Sequence, residues 1–136
     1  LPIWEGTTNV LSLDALLRAD LHAGLAALMG RVSACLRPLT DPRLVGAARQ
    51  ALGAIERATL WVESGRDPEI LQSGARRLAL TLARGLELAL LCEHAQWMLD
   101  RQHDPSGLAA ALRFARLPVD QLQEIDPALD RQLLGL

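Results

Sequence analysis

Apolar residues recur along this chain at three- and four-residue spacings, the repeat that lines up side chains on one face of an α-helix. Leu21, Leu25, Leu28, Val32 and Cys35 make one such stripe. Asp20 stands where it would cap that helix, and Pro38 ends it by Arg37, because a proline steers the preceding residue out of helical geometry. Leu44, Ala48, Ala51, Ile55, Ala58 and Val62 make the next stripe, with Arg43, Gln50 and Arg57 off it. Thr40-Asp41-Pro42 is its start signal, a cap followed by a proline in the first turn, and Gly65 closes it. Asp67-Pro68-Glu69 opens the longest predicted element, which runs to about Gln102. Between Leu78 and Cys92 it is apolar nearly all round, with a narrow polar stripe of Arg77, Arg84, Glu87 and Arg101, so it is predicted to be a central helix covered on several sides. Asp104-Pro105-Ser106-Gly107 breaks it. A short helix is expected over residues 108–116, then a last amphipathic piece from Pro118 with Leu122 and Ile125, bent at Asp126-Pro127 before Leu133.

No segment alternates as a strand would, and no fixed-length repeat is present. The predicted fold class is all-α, a mostly antiparallel helical bundle with one long central helix. Gly24, Gly30, Gly46, Gly53, Gly74 and Gly85 fall inside helical patterns, where each costs up to about 1 kcal/mol against alanine. The expectation is that helices approach closely at those points. Trp61 and Trp97 take core-like positions, for which packing is the default reading.

Composition agrees with this picture. The 136 residues are half hydrophobic, with three Trp, one Phe and no Tyr, so the core must be built from Leu and Ala. A net charge of -2 argues against general attraction to nucleic acid or anionic membrane. The basic residues are all Arg. Cys35 and Cys92 lie on apolar helical stretches and read as buried free thiols, with a disulfide as the alternative, which points to a reducing, cytoplasmic setting. Charges interrupt each apolar run short of a membrane span. The chain opens without Met, as a fragment or processed product would.

The candidate chemistry is at the start: Ile3-Trp4-Glu5-Gly6-Thr7-Thr8-Asn9-Val10. Thr7 and Thr8 can cap a helix beginning near Asn9, with Val10, Leu13 and Leu17, and Leu11 and Ala15, at helical spacing. A carboxylate just before a helix gains about 0.3–1 kcal/mol from the helix dipole, and that alone would explain Glu5. Its neighbours suggest more. Ile3 and Trp4 supply apolar walls, Gly6 admits close approach to the backbone, and free amides of the next helix can bind an oxygen.

Trp4-Glu5-Gly6-Thr7-Thr8-Asn9-Val10-Leu11, followed by Leu13-Asp14, resembles the C-terminal active-site segment of the acyl-CoA dehydrogenase family, in its AidB-like, alkylation-response subgroup. The resemblance implies that Glu5 is the catalytic base, taking the α-proton of an acyl-CoA thioester while hydride passes to the flavin of FAD. It implies that Trp4, Glu5 and Gly6 contact substrate, the Glu5 amide polarising the thioester carbonyl. It also implies that Gly6, Thr7 and Asn9 line the FAD side. One departure is Arg18, which stands one residue beyond the subgroup's Leu-Asp-x-Leu-Arg position, about 100° around a helix. The resemblance divides the chain into residues 1–19, active-site loop and following helix, and 20–136, a C-terminal bundle. The implied partners are the N-terminal and middle domains of a parent dehydrogenase, acyl-CoA, and further copies in a homo-oligomer. The chain alone is expected to be inactive. The alternatives are a DNA-associated helical domain of the alkylation-response type and a non-catalytic oligomerisation bundle.

Other residues offer less. His22, His94 and His103 lack metal-ligand spacing, so no metal is expected. Arg76-Arg77 with Arg84, and Arg113 with Arg116, read as solvated helix faces rather than phosphate contacts.

Overall fold

Aspartates start three of the helices, each accepting a backbone N–H that the helix itself cannot satisfy. Asp20 accepts from Ala23 at 3.1 Å, Asp41 from Arg43 at 2.9 Å and Asp67 from Glu69 at 2.8 Å. The computed structural model describes residues 10–15, 20–122, 132–133 and 135. Its main elements are α1 (Leu21–Leu36), α2 (Pro42–Glu63), α3 (Pro68–Gln102) and α4 (Ser106–Ala115). Residues 10–15 are also helical. Among the described residues there is no strand, so the fold is the expected all-α bundle.

Pro42 and Pro68 sit in the first turns of α2 and α3, where a missing N–H costs nothing. Gly65 follows α2 at φ 68°, in the left-handed region open to glycine. His103 ends α3 at φ 53°. Asp104 then accepts the Ser106 N–H at 2.8 Å, so α4 begins two residues before the expected Leu108.

The 35-residue α3 packs against α1, α2 and α4 and is the central element. Its main seam is with α2, where Ala47, Ala48, Ala51, Ala54 and Ala58 are buried around Leu44 and Ile55. Small residues let the two backbones come close. Leu44, Ile55, Leu88 and Val32 are fully buried, each worth about 1.5–3 kcal/mol of transfer free energy.

Three expectations need correction. Trp61 is buried at 8 % exposure, but Trp97 is 48 % exposed and stacks on His94 with ring centroids 5.6 Å apart. Trp97 lies on the side of α3 opposite the core stripe of Thr81, Gly85, Leu88 and Cys92. Close approach explains Gly74 and Gly85, where an added Cβ would meet Trp61 at 2.5 Å and Ile55 at 2.9 Å. At Gly24, Gly30 and Gly46 it would meet nothing within 4 Å, and at Gly53 only the side chain of Arg57 in the same helix. Residues 10–15 are helical, as their spacing predicts, with Val10 and Leu11 exposed, Leu13 half-buried and Ser12 buried.

The third correction concerns the segment after α4. Residues 118–122 form an irregular strap rather than an amphipathic helix. Asp120 accepts the Leu122 N–H at 2.9 Å, a local turn that competes with helix. Val119 inserts into the core at 2 % exposure. The predicted positions Ile125, Asp126 and Pro127 lie outside the described residues.

Candidate functional site

Trp4, Glu5, Gly6, Thr7 and Asn9, the residues with predicted roles, lie outside the described residues, as do Thr8 and Arg18. Among the described residues, three polar constellations organise the bundle.

In the first, α3 holds the turn between α1 and α2. Gln96 is 3 % exposed, and its Oε1 accepts from the backbone N–H groups of Thr40 at 2.9 Å and Asp41 at 3.0 Å. Its Nε2 donates to Asp100 Oδ1 at 3.0 Å. One side chain thus fixes the entry to α2. Asp41 is further held by Arg43, whose Nη2 lies 2.6 Å from Oδ2. The Arg43 side chain is the main reason that the Asp41 carboxyl titrates at about 2.

The second joins α1 to α3. Arg31 Nη2 donates to Glu93 Oε2 at 2.7 Å, and Nη1 to Cys35 Sγ at 3.0 Å. Glu93 is held below the usual carboxylate range, first by the hydrogen bond from Arg31. Burial, and then the Glu93 charge, push the Cys35 thiol up. Burial also raises Cys92, to about 11. Both cysteines are free, buried thiols, as the sequence predicts, and both are held in the protonated, unreactive form.

The third fastens the strap. Arg57 Nε donates to Asp120 Oδ2 at 2.8 Å, Arg84 Nη1 to the Pro118 carbonyl at 2.7 Å, and Gln50 Nε2 to the Ala115 carbonyl at 3.1 Å. Buried Thr81 gives its hydroxyl proton to the Arg77 carbonyl at 2.8 Å and accepts the Gln121 N–H at 2.9 Å. Arg84, expected on a solvated stripe, therefore has a structural task. Gln96 and Thr81 escaped the sequence reading. The signal for both was a hydrogen-bonding residue on the buried stripe of a long helix, a place where such a group must find partners. Among the described residues, no buried side-chain nitrogen or oxygen lacks a hydrogen bond.

The histidines are dispersed. His22 lies 3.6 Å from Glu63, His94 stacks on Trp97, and His103 ends α3. Arg76, Arg77, Arg113 and Arg116 are exposed, as expected of solvated faces. Nor do the described residues fit FAD. An open depression of about 430 Å³ on α3 is lined by Ala83, Leu86, Glu87, Leu90, Leu91 and His94, with no cation for a pyrophosphate. Another, of about 380 Å³, has Arg57 and Arg66 at its edge. Arg57 is engaged by Asp120, and Arg66 sits over the Trp61 ring at 5.5 Å. No described helix is long and apolar enough to cross a membrane.

These constellations define a helical domain whose described polar groups serve mainly to hold helices together. The model of the family described as "Acyl-CoA dehydrogenase 11 C-terminal domain-like" matches residues 24–131, most of the chain, and the chain belongs to that family. Acyl-CoA dehydrogenase family member 11 of Caenorhabditis elegans is 34 % identical over 102 residues, covering 69 % of this chain and 16 % of the worm protein. The chain thus matches a small part of that relative's length. No solved structure matches it. The resemblance read from the opening residues and the family found for the helices agree: the chain is a C-terminal segment of the acyl-CoA dehydrogenase family.

Proposed function

We propose that this chain is the C-terminal part of an FAD-dependent acyl-CoA dehydrogenase, with Glu5 as the base for the α-proton of an acyl-CoA thioester. One observation supports the reading above others. A single chain carries Trp4-Glu5-Gly6-Thr7-Thr8-Asn9 at its start and the helical family domain over residues 24–131. The two features are independent, and they point to one family.

On this reading Ile3 and Trp4 exclude water from the Glu5 carboxylate, which raises its basicity. The Glu5 backbone N–H steadies the thioester oxygen as negative charge builds there. Gly6, Thr7 and Asn9 face the cofactor side, while most flavin contacts belong to the N-terminal and middle domains of the parent. Residues 20–136 form the bundle behind the loop. The chain alone neither binds FAD tightly nor turns over acyl-CoA, and the setting is cytoplasmic.

The test is exchange of the acyl-CoA α-proton with deuterium from solvent, measured on the longer protein that carries this chain. Glu5→Gln is expected to slow exchange about 100- to 10,000-fold, the usual contribution of a general base, with acyl-CoA still bound. Exchange at the unaltered rate overturns the role of Glu5. Stoichiometric flavin co-purifying with the 136-residue chain overturns the claim that it is incomplete. The alternative of a DNA-associated domain needs a continuous basic face, and a net charge of -2 argues against one. The alternative of assembly does have a specific observation, the exposed apolar side of α3.

A further inference from the structure

The strap after α4 is held in the way a bound peptide is held. Its contacts come from side chains of two helices that lie 34 to 63 residues away in the chain. From α3, Arg84 donates to the Pro118 carbonyl at 2.7 Å, and the Thr81 hydroxyl oxygen accepts the Gln121 N–H at 2.9 Å. From α2, Arg57 donates to Asp120 Oδ2 at 2.8 Å. The first two contacts read main chain, and the third reads one side chain. Two apolar residues anchor the segment. Val119 is buried in the main core, and Leu122 packs on the cluster of Ala58, Trp61 and Leu78. Main-chain bonds for affinity and side-chain pockets for selectivity are the general means of peptide recognition. The segment also sets its own shape. Pro118 brings no N–H that needs a partner, and Asp120 turns the chain by accepting the Leu122 N–H. The fit is incomplete: a space of about 130 Å³ remains between Gln50, Ala54 and Arg57 of α2 and Pro118, Val119 and Asp120 of the strap.

We propose that the furrow between α2 and α3 is a peptide-binding site, occupied in cis by the strap. Its partner is a segment of another protein with the strap's own pattern: proline, an aliphatic residue, aspartate, any residue, leucine. The strap is the template for that pattern, as Pro118-Val119-Asp120-Gln121-Leu122. The tether gives it an effective concentration of about millimolar, so it excludes weak competitors. The space beside Val119 admits a larger aliphatic side chain, through which a partner gains over the strap. The inference does not rest on the role of Glu5, so a failed proton-exchange test leaves it standing.

The experiment uses a fluorescent synthetic peptide of residues 116–122 and the 136-residue chain, with binding read by anisotropy and helicity by circular dichroism. Val119→Ser with Asp120→Ala unfastens the strap in cis. The peptide is expected to bind this double variant at least about tenfold more tightly than the unaltered chain, whose furrow is filled. Adding Arg57→Ala to the double variant, or placing Asp120→Ala in the peptide, is expected to weaken binding at least about tenfold. A peptide that binds the double variant no better than the unaltered chain overturns the proposal, as does one indifferent to the loss of its aspartate. A second measurement needs no variant. In the unaltered chain the Gln121 amide is expected to exchange with solvent at least about tenfold faster than the Leu88 amide in the middle of α3, because the strap opens without the bundle. Excess peptide is expected to speed Gln121 exchange further by holding the strap out. Equal exchange at Gln121 and Leu88, or exchange at Gln121 that ignores the peptide, overturns the displacement of the strap.

Discussion

The indole of Trp61 occupies the space that a Cβ on residue 74 would need. Its Cη2 and Cζ2 atoms lie 2.5 and 2.6 Å from that position. Trp61 is rigid, buried, and covered on one face by Arg66, so it has little room to give. Gly74→Ala should therefore destabilise the fold, since overpacking costs about 1–3 kcal/mol. That exceeds the roughly 1 kcal/mol that alanine gains over glycine in a helix. Gly24→Ala, with nothing within 4 Å, should instead stabilise by about 0.4–1 kcal/mol. Urea midpoints of the two variants should move in opposite directions. Equal shifts would show that Trp61 yields.

Gln96 is the second residue whose loss should be felt beyond its own site. Gln96→Met keeps the volume but leaves the Thr40 and Asp41 N–H groups without their acceptor. The expected cost is about 1–3 kcal/mol. Hydrogen exchange gives the sharper readout. The amides of Thr40 and Asp41 should exchange faster in the variant even where global stability is matched by added osmolyte. Unchanged protection at both would mean that the turn holds itself.

Much of this fold was legible because its boundaries are chemical. Asp20, Asp41-Pro42 and Asp67-Pro68 announce helix starts through side-chain acceptors and a fixed φ, and these act locally. The side of α3 that faces the core was not legible. From Leu78 to Cys92 apolar residues occur on every side, so periodicity could not separate the covered stripe from the exposed one, and Trp97 was placed inside. Glycines fared similarly. Gly74 and Gly24 look alike in sequence, and only the position of Trp61 distinguishes them. The strap is misread in sequence because Pro118, Leu122 and Ile125 fall at helical spacing, whereas its backbone groups are satisfied by Arg84 and Thr81 from distant positions. The site shows the reverse balance. Glu5 and its neighbours were legible as a motif and lie outside the described residues, while Gln96 and Thr81 were found only in the structure.

Cys35 and Cys92 should be slow to react in the folded protein. Both are fully buried, and Cys92 is pushed up to about 11 by burial, so at neutral pH almost none of it is thiolate. A thiol-reactive chromogen should label neither cysteine quickly under native conditions and both at once in denaturant. Gly85→Ala, which presses on Ile55 Cδ1 at 2.9 Å, should raise the native labelling rate by opening the same core more often. Fast native labelling of Cys35 would mean that the Arg31–Glu93 pair does not close over it.

Acid should weaken the fold partly through Asp41. Its carboxyl titrates at about 2 in the folded chain, against an ordinary value of 3.8, because Arg43 donates to both of its oxygens and the Arg43 and Leu44 N–H groups add to this. The unfolded chain therefore takes up this proton first as pH falls. The stabilisation is complete above the ordinary carboxylate range, declines from about pH 4, and is gone below about pH 2. Arg43 is 60 % exposed, so salt should screen part of the effect. Asp41→Asn keeps an acceptor for the α2 N-terminus but removes the charge. Its stability should fall less steeply between pH 4 and 2 than that of the unaltered chain. A residual slope should remain, because Glu93 and Asp104 are also held below their usual range, by Arg31 and by the Ser106 N–H. Parallel acid curves for the two proteins would show that Arg43 does not hold Asp41 in solution.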